Sequence, residues 1–151
     1  MTITASAQIA DNSFEAGPGG GDWTESSINF GTPICNNATC GDCGGSCYPN
    51  TGSFYAWFGG ATSIETAAIS QDVVFPQGTS ADIKMMVYIP PTAPALVDNR
   101  LELSIDGTIL RIISAFDSIT YAMTYTLDST DVSAFADGGT HTVKIEGFQT
   151  T

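Results

Sequence analysis

The sequence predicts an all-β protein, an antiparallel β-sandwich or jelly roll of about eight strands, and three observations carry that prediction. Charged residues make up only 13% of the chain while Gly numbers 16 and Thr, Ser, Val and Ile are abundant, a strand-and-turn composition. Apolar residues recur with a period of two, the spacing of a sheet that rests one face on a core. Clusters of Gly, Pro, Asn and Asp cut the chain into short segments and leave no long helical periodicity. A chain of this length buries roughly 68–70% of its unfolded surface, so residues 1–151 are expected to form one sandwich domain.

Taken in order, strands are expected near residues 5–10, 27–31, 54–59 and 64–75, each bounded by turn-forming residues. Ile83, Met85, Val87 and Ile89 alternate with Lys84, Met86 and Tyr88, which predicts a half-buried strand. Residues 89–99, with Pro90, Pro91 and Pro94, read as a stiff surface crossover. Leu101, Leu103 and Ile105 alternate with Glu102, Ser104 and Asp106; the alternation resumes at Ile109 after Asp106-Gly107, so residues 101–113 form a hairpin around an Asp-Gly turn. That register points Leu103 and Ile105 inward and Glu102 to solvent. A strand is expected near 121–128. Asp131–Ala136 is the single helical candidate, one turn capped by Asp131, and Asp137-Gly138-Gly139 then releases the last strand at 141–148.

Four Lys and Arg stand against sixteen Asp and Glu, a formal charge of −12. No basic stripe for phosphates can be assembled and an acidic lipid surface repels the chain, so neither nucleic acid nor membrane insertion is expected. No apolar run approaches the roughly 18 residues of a membrane span, and Met1–Ala10 lacks the basic and apolar regions of a signal peptide. The chain is expected to be a module of a longer secreted protein.

Cys35, Cys40, Cys43 and Cys47 follow a C-x4-C-x2-C-x3-C spacing within a Gly- and Asn-rich loop. The first three match the opening of a plant-type iron–sulfur loop, but such a loop takes its fourth Cys from far downstream and this chain has none after Cys47. Structural zinc prefers two separated pairs, and C-x2-C occurs once. Two disulfides stapling a surface loop in an oxidising compartment are expected instead, with a secreted or cell-surface location. Three pairings are open. Cys35–Cys40 with Cys43–Cys47 closes the smallest loops and is favoured over a nested pairing that needs a strained short ring.

Catalytic constellations are sparse. The single histidine, His141, sits between Thr140 and Thr142 at the start of a strand and reads as a partly buried strand residue rather than a general base. There is no G-x-S-x-G, and no pair of the sixteen acids has a context that would raise one pKa. Gly17-Pro18-Gly19-Gly20-Gly21 lacks the register of a phosphate cradle. A non-enzymatic role is expected.

Asn12-Ser13-Phe14-Glu15-Ala16-Gly17, followed by Asp22-Trp23-Thr24, resembles the N-x-x-F-E-x-G…W opening of galactose-binding-like jelly rolls, which include many bacterial carbohydrate-binding modules. Asp131-Val132-Ser133-Ala134-Phe135 before the closing strand resembles their closing turn. Tyr55–Gly60 and Ile69–Val73 are similar to uncharacterised sandwich domains appended to secreted bacterial proteases and surface proteins, and distantly to MAM domains. The resemblance implies a structural calcium ion joining first and last strands, with Glu15 and Asp131 as ligands and Asn12 and Asp11 as loop contributors. Ser13 departs from the usual Gly, and the Cys-rich loop has no general counterpart. Phe14 and Trp23 are expected in the core or at a sheet edge.

Sugar rings are held on exposed aromatic platforms flanked by hydrogen-bonding groups. Tyr48, Tyr55, Trp57 and Tyr88 are the candidates, with Tyr55 and Trp57 on one face by alternation and Tyr48 and Tyr88 the more exposed pair. The expected function is a non-catalytic accessory module that binds glycan or another surface polymer alongside neighbouring domains of a parent protein. A structural or adhesion spacer and a small secreted hydrolase are the alternatives.

Overall fold

The computed structural model describes residues 8–41, 47–78, 80–90, 98–122 and 124–150. Strands β1 (Thr24–Ser27), β4 (Glu65–Val74), β9 (Thr140–Gln149), β6 (Arg100–Ile105) and β7 (Thr108–Ser114) form one antiparallel sheet in the order β1-β4-β9-β6-β7. Two smaller antiparallel pairs complete the strands: β5 (Asp82–Val87) with β8 (Thr126–Asp131), and β2 (Ile34–Cys35) with β3 (Tyr55–Ala56). Short helices α1 (Asn37–Cys40) and α2 (Ser118–Tyr121), and 3-10 turns at Ala115–Asp117 and Ser133–Phe135, fill the connections. The fold is all-β and sandwich-like. Among the described residues no helix is long and apolar enough to cross a membrane.

Register explains the core. Ile69 on β4 stands opposite Ile145 on β9, which stands opposite Leu103 on β6; one rung along, Gln71, Val143 and Ile105 repeat the row. Ile83 on the β5–β8 ribbon packs against the inner face, in one cluster with Val73, Phe75, Leu103, Ile105, Val132 and Val143, and Met85 borders it. Leu103 and Ile105 are buried as the alternation requires. At the hairpin tip Asp106 and Gly107 both take positive φ, 50° and 79°. A tight antiparallel turn that follows the sheet twist demands those values, and Asp-Gly supplies them.

Leu110 is the extra residue of a bulge, because Leu103 pairs with Arg111 while Ser104 pairs with Ile109. The bulge turns Arg111 to the inner face. Its Nη2 donates to Asp128 on β8 at 2.7 Å, and the Tyr121 hydroxyl donates to the same carboxylate oxygen at 2.7 Å. Arg111 holds the Asp128 carboxyl below its ordinary range against the cost of burial, with Tyr121 assisting. A second buried carboxylate, Glu65, is 1% exposed and has no cation. It accepts from Ser27 Oγ at 2.7 Å, from Ile28 N and Asn29 N at 2.9 Å, and from Asn29 Nδ2. Burial alone would raise its pKa; these bonds outweigh burial and lower it.

Several expectations are corrected. Gln8–Ala10 is not a strand, and the rest of the expected 5–10 strand lies outside the described residues. The expected 27–31 strand is β1, which ends at Ser27, because Glu65 gathers the amides of Ile28 and Asn29 into a turn. The 54–59 strand shrinks to Tyr55–Ala56, and the 121–128 strand begins only at Thr126, since residues 115–121 coil after the hairpin. The single turn expected at Asp131–Ala136 forms as the 3-10 turn Ser133–Phe135, with Asp131 itself closing β8 and its Oδ1 accepting from Ser133 N at 2.8 Å. Glu102 is 9% exposed, not solvated: it lies on the outer face of the sheet, where Arg100 Nε donates to it at 2.6 Å.

Three outcomes follow from this packing. Leu103→Ala lowers stability by about 2–5 kcal/mol, and Glu102→Ala by about 1–2 kcal/mol, more than a fully solvated acid would cost; denaturant melts of both variants check it. Thr130 Oγ1 is buried with no hydrogen-bond partner among the described residues, so Thr130→Val raises stability by about 1 kcal/mol in the same assay. Glu65 has a lowered folded pKa, so its contribution is present above the unfolded value near ~4.3 and is lost as pH falls through the folded one. Melting temperatures of wild type and Glu65→Gln should therefore differ most near neutrality and converge in acid; a constant gap would refute the assignment.

Candidate functional site

Three segments converge beside β3. The first is the loop that carries the expected N-x-x-F-E-x-G opening. Phe14 sits at φ 64°, a conformation bulky residues rarely adopt. It is held there by a bond from its N–H to Asp11 O at 3.0 Å and by its ring against Trp23, centroids 5.7 Å apart. Trp23 is buried, and its Nε1 donates to Asp11 O at 3.0 Å. Glu15 Oε1 accepts from Ser53 N at 2.9 Å and Phe54 N at 3.0 Å, tying this loop to the residues just before Tyr55.

The second segment runs through β2 and α1. Asn36 caps the short helix: its Oδ1 accepts from Ala38 N at 3.0 Å and Thr39 N at 3.2 Å, and Thr39 Oγ1 accepts from Asn36 N at 3.1 Å. A disulfide joins Cys35 to Cys40 with their Cα atoms 5.8 Å apart, as the favoured pairing requires. Cys47 is also disulfide-bonded, and Cys43 lies outside the described residues. Thr32 Oγ1 donates to Glu25, whose other oxygen accepts from Gly19 N at 2.8 Å.

The third segment is β3 and its continuation. Trp57 N donates to Pro33 O at 2.8 Å, extending the β2–β3 pairing by one rung. Gly60 takes φ 81°, and a Cβ there would come within 3.0 Å of the Trp57 ring, so only glycine lets the backbone approach so closely. Gln149 Nε2, at the end of β9, donates to Ala61 O at 2.6 Å and anchors this loop to the main sheet.

These segments enclose a cleft of about 300 Å³ whose walls include Trp57, Phe30, Thr32, Thr39, Pro18 and the Cys35–Cys40 disulfide. Two aromatic groups accompany these segments. Tyr55 and Trp57 stack with centroids 6.3 Å apart and planes inclined by 25°. Tyr48, Tyr88 and Tyr125 form a second group with centroids 5.6–6.1 Å apart. The Tyr125 hydroxyl donates to Tyr48 O at 2.7 Å; burial first, then the neighbouring Tyr55, Tyr48 and Tyr88, push its pKa up to about 12.

The four expected aromatics thus fall into two groups, Tyr55 with Trp57 and Tyr48 with Tyr88. Tyr48 is 42% exposed, whereas Tyr55 is buried and backs Trp57, its hydroxyl donating to Gly41 O at 3.2 Å. Tyr125 was not among the candidates. Its signal was the tyrosine count, since four of the chain's five tyrosines belong to these two groups.

The expected metal ligands have other occupations. Glu15 binds the Ser53 and Phe54 amides, Asp131 the Ser133 amide, and Asp11 Oδ1 the Ala16 amide at 3.3 Å, while Asn12 is exposed. Among the described residues no three His, Cys, Asp or Glu side chains form a group that could hold a metal ion. His141 Nδ1 is 2.7 Å from Asp106 and Nε2 3.0 Å from Asp137, with its ring against Phe75 and Phe135. The two carboxylates, Asp106 foremost, raise its pKa. It lies at the opposite end of β9 from Gln149, roughly 27 Å along the strand.

No family model, curated protein or solved structure matches the chain.

Proposed function

We propose that the protein is a non-catalytic extracellular accessory module, a jelly roll of galactose-binding-like type, that binds glycan or another surface polymer for a larger parent protein. The single observation carrying this reading is the Trp57 cleft, in whose wall an aromatic ring stacked on Tyr55 lies beside Thr32 and Thr39. Trp57 offers a ring face backed by a stacked Tyr55, and Thr32 and Thr39 bring hydroxyls into the walls, the combination of apolar platform and polar neighbours that suits a sugar ring. Tyr48 offers an exposed ring outside the cleft. The tyrosine group is packed ring against ring, which makes it a surface to lie on rather than a cage around a ligand. The Cys35–Cys40 disulfide supports an oxidising compartment.

A spacer role is favoured by a different feature. Met86 and Leu127 face each other across the β5–β8 ribbon and are 44% and 56% exposed, an apolar pair suited to packing on an adjacent domain.

Trp57→Ala should weaken binding to any glycan retained on an array by about 10–100-fold, and Tyr48→Ala by about 10-fold. Titration calorimetry measures both, with thermal melts to show that each variant folds. Loss of neither, with both folded, would direct attention to the Met86–Leu127 face.

A further inference from the structure

We infer that the cleft selects uncharged sugar chains and rejects those bearing carboxylate or sulfate groups; the inference rests on the glycan-binding reading above. The chain has four cationic side chains, and each has a place away from the Trp57 cleft. Arg111 is bound to the buried Asp128 carboxylate. Arg100 pairs with Glu102 and lies over the Phe148 ring at 4.3 Å, and Lys144 pairs with Glu146 at 2.8 Å. Lys84 borders a separate cleft of about 210 Å³ with Gln8, Asn12 and Asp82.

Negative charge, by contrast, stands directly behind the cleft walls. Thr32 has its hydroxyl proton on the Glu25 carboxylate, and Pro18 belongs to the turn whose Gly19 amide donates to the same group. The backbone N–H groups of Gly19, Ser53 and Phe54, which would otherwise form anion-binding donors near the site, are all occupied by Glu25 and Glu15. An anionic sugar therefore meets like charge, and among the described residues no Lys or Arg lines the cleft to offset it. A neutral ring loses nothing on this account. An amine-bearing sugar gains only a diffuse, salt-screened attraction, because both Glu25 oxygens are already bonded inside the protein.

The test compares one polymer in two charge states. Amylose, a β-1,3-glucan and a galactomannan are each titrated against the intact protein before and after oxidation of their C6 hydroxyls to carboxylates, at about 0.01 M and about 1 M salt. A neutral form should bind, and its oxidised form should bind at least about 10-fold more weakly at low salt, with most of the loss recovered at high salt. Pro18→Arg, which places a cation in the wall, should restore binding of the oxidised form. Equal or tighter binding of the oxidised polymer, or a loss indifferent to salt, overturns the charge selection and leaves glycan binding standing. Failure of every neutral polymer to bind overturns the glycan reading and this inference with it.

Discussion

Sixteen carboxylates share four cationic side chains, and this shortage dictates how the loops are held. Two of the cations pair across the outer face of the main sheet and a third is held by the buried Asp128, so most carboxylates near the chain's turns find their partners among N–H and O–H donors. Glu65 gathers Ile28 and Asn29, Glu15 gathers Ser53 and Phe54, Glu25 takes Gly19 and Thr32, and Asp117 takes Ser114. A carboxylate accepting two or three such bonds pins a turn firmly, since the bonds are charge-assisted. The Trp57 cleft is built from segments pinned in this way, and the same chemistry that shapes it leaves its surroundings negative.

The layers are joined by different means. A single bulge at Leu110 rotates Arg111 from the outer face to the inner one, and there it meets Asp128 from the opposite ribbon under the Tyr121 hydroxyl. Removing Arg111 would strand the buried Asp128 carboxylate, the costly outcome for such groups. Around this polar tie the sandwich is apolar: Leu103, Ile105 and Val143 from the large sheet against Ile83 from the ribbon, with Met85 alongside.

The parts of the fold that alternation controls were legible from the sequence. The 101–113 hairpin, the long β4 and the closing β9 all occupy the expected stretches because a one-residue slip would have exposed their whole apolar set. The parts governed by single distant hydrogen bonds were not. Nothing local in Ser27–Phe30 announces that Glu65, far along the chain, will curl it into a turn. Glu102 looked solvated because its neighbours alternate, yet Arg100, two residues away on the same face, covers it. The aromatic candidates were recognisable by type, but Tyr125, which packs on Tyr48 and Tyr88, was hidden by the misplaced start of β8. Glu15 stood out by its position in a motif; its partners, the amides of Ser53 and Phe54, carry no side-chain signature at all.

β9 is bonded on both sides, to β4 over the whole of Thr140–Gln149 and to β6 over Val143–Phe148. Its two ends are fastened as well, His141 between Asp106 and Asp137 and Gln149 to the Ala61 carbonyl. Because ladder bonds run perpendicular to the strands, a pull along β9 loads its rungs together in shear instead of opening them one after another. The strand thus acts as a mechanical spar between the two loop clusters. A polymer dragging on the aromatic end would transmit its tension through β9 to the far end of the sheet, while the four-residue β1 at the margin carries little of the load.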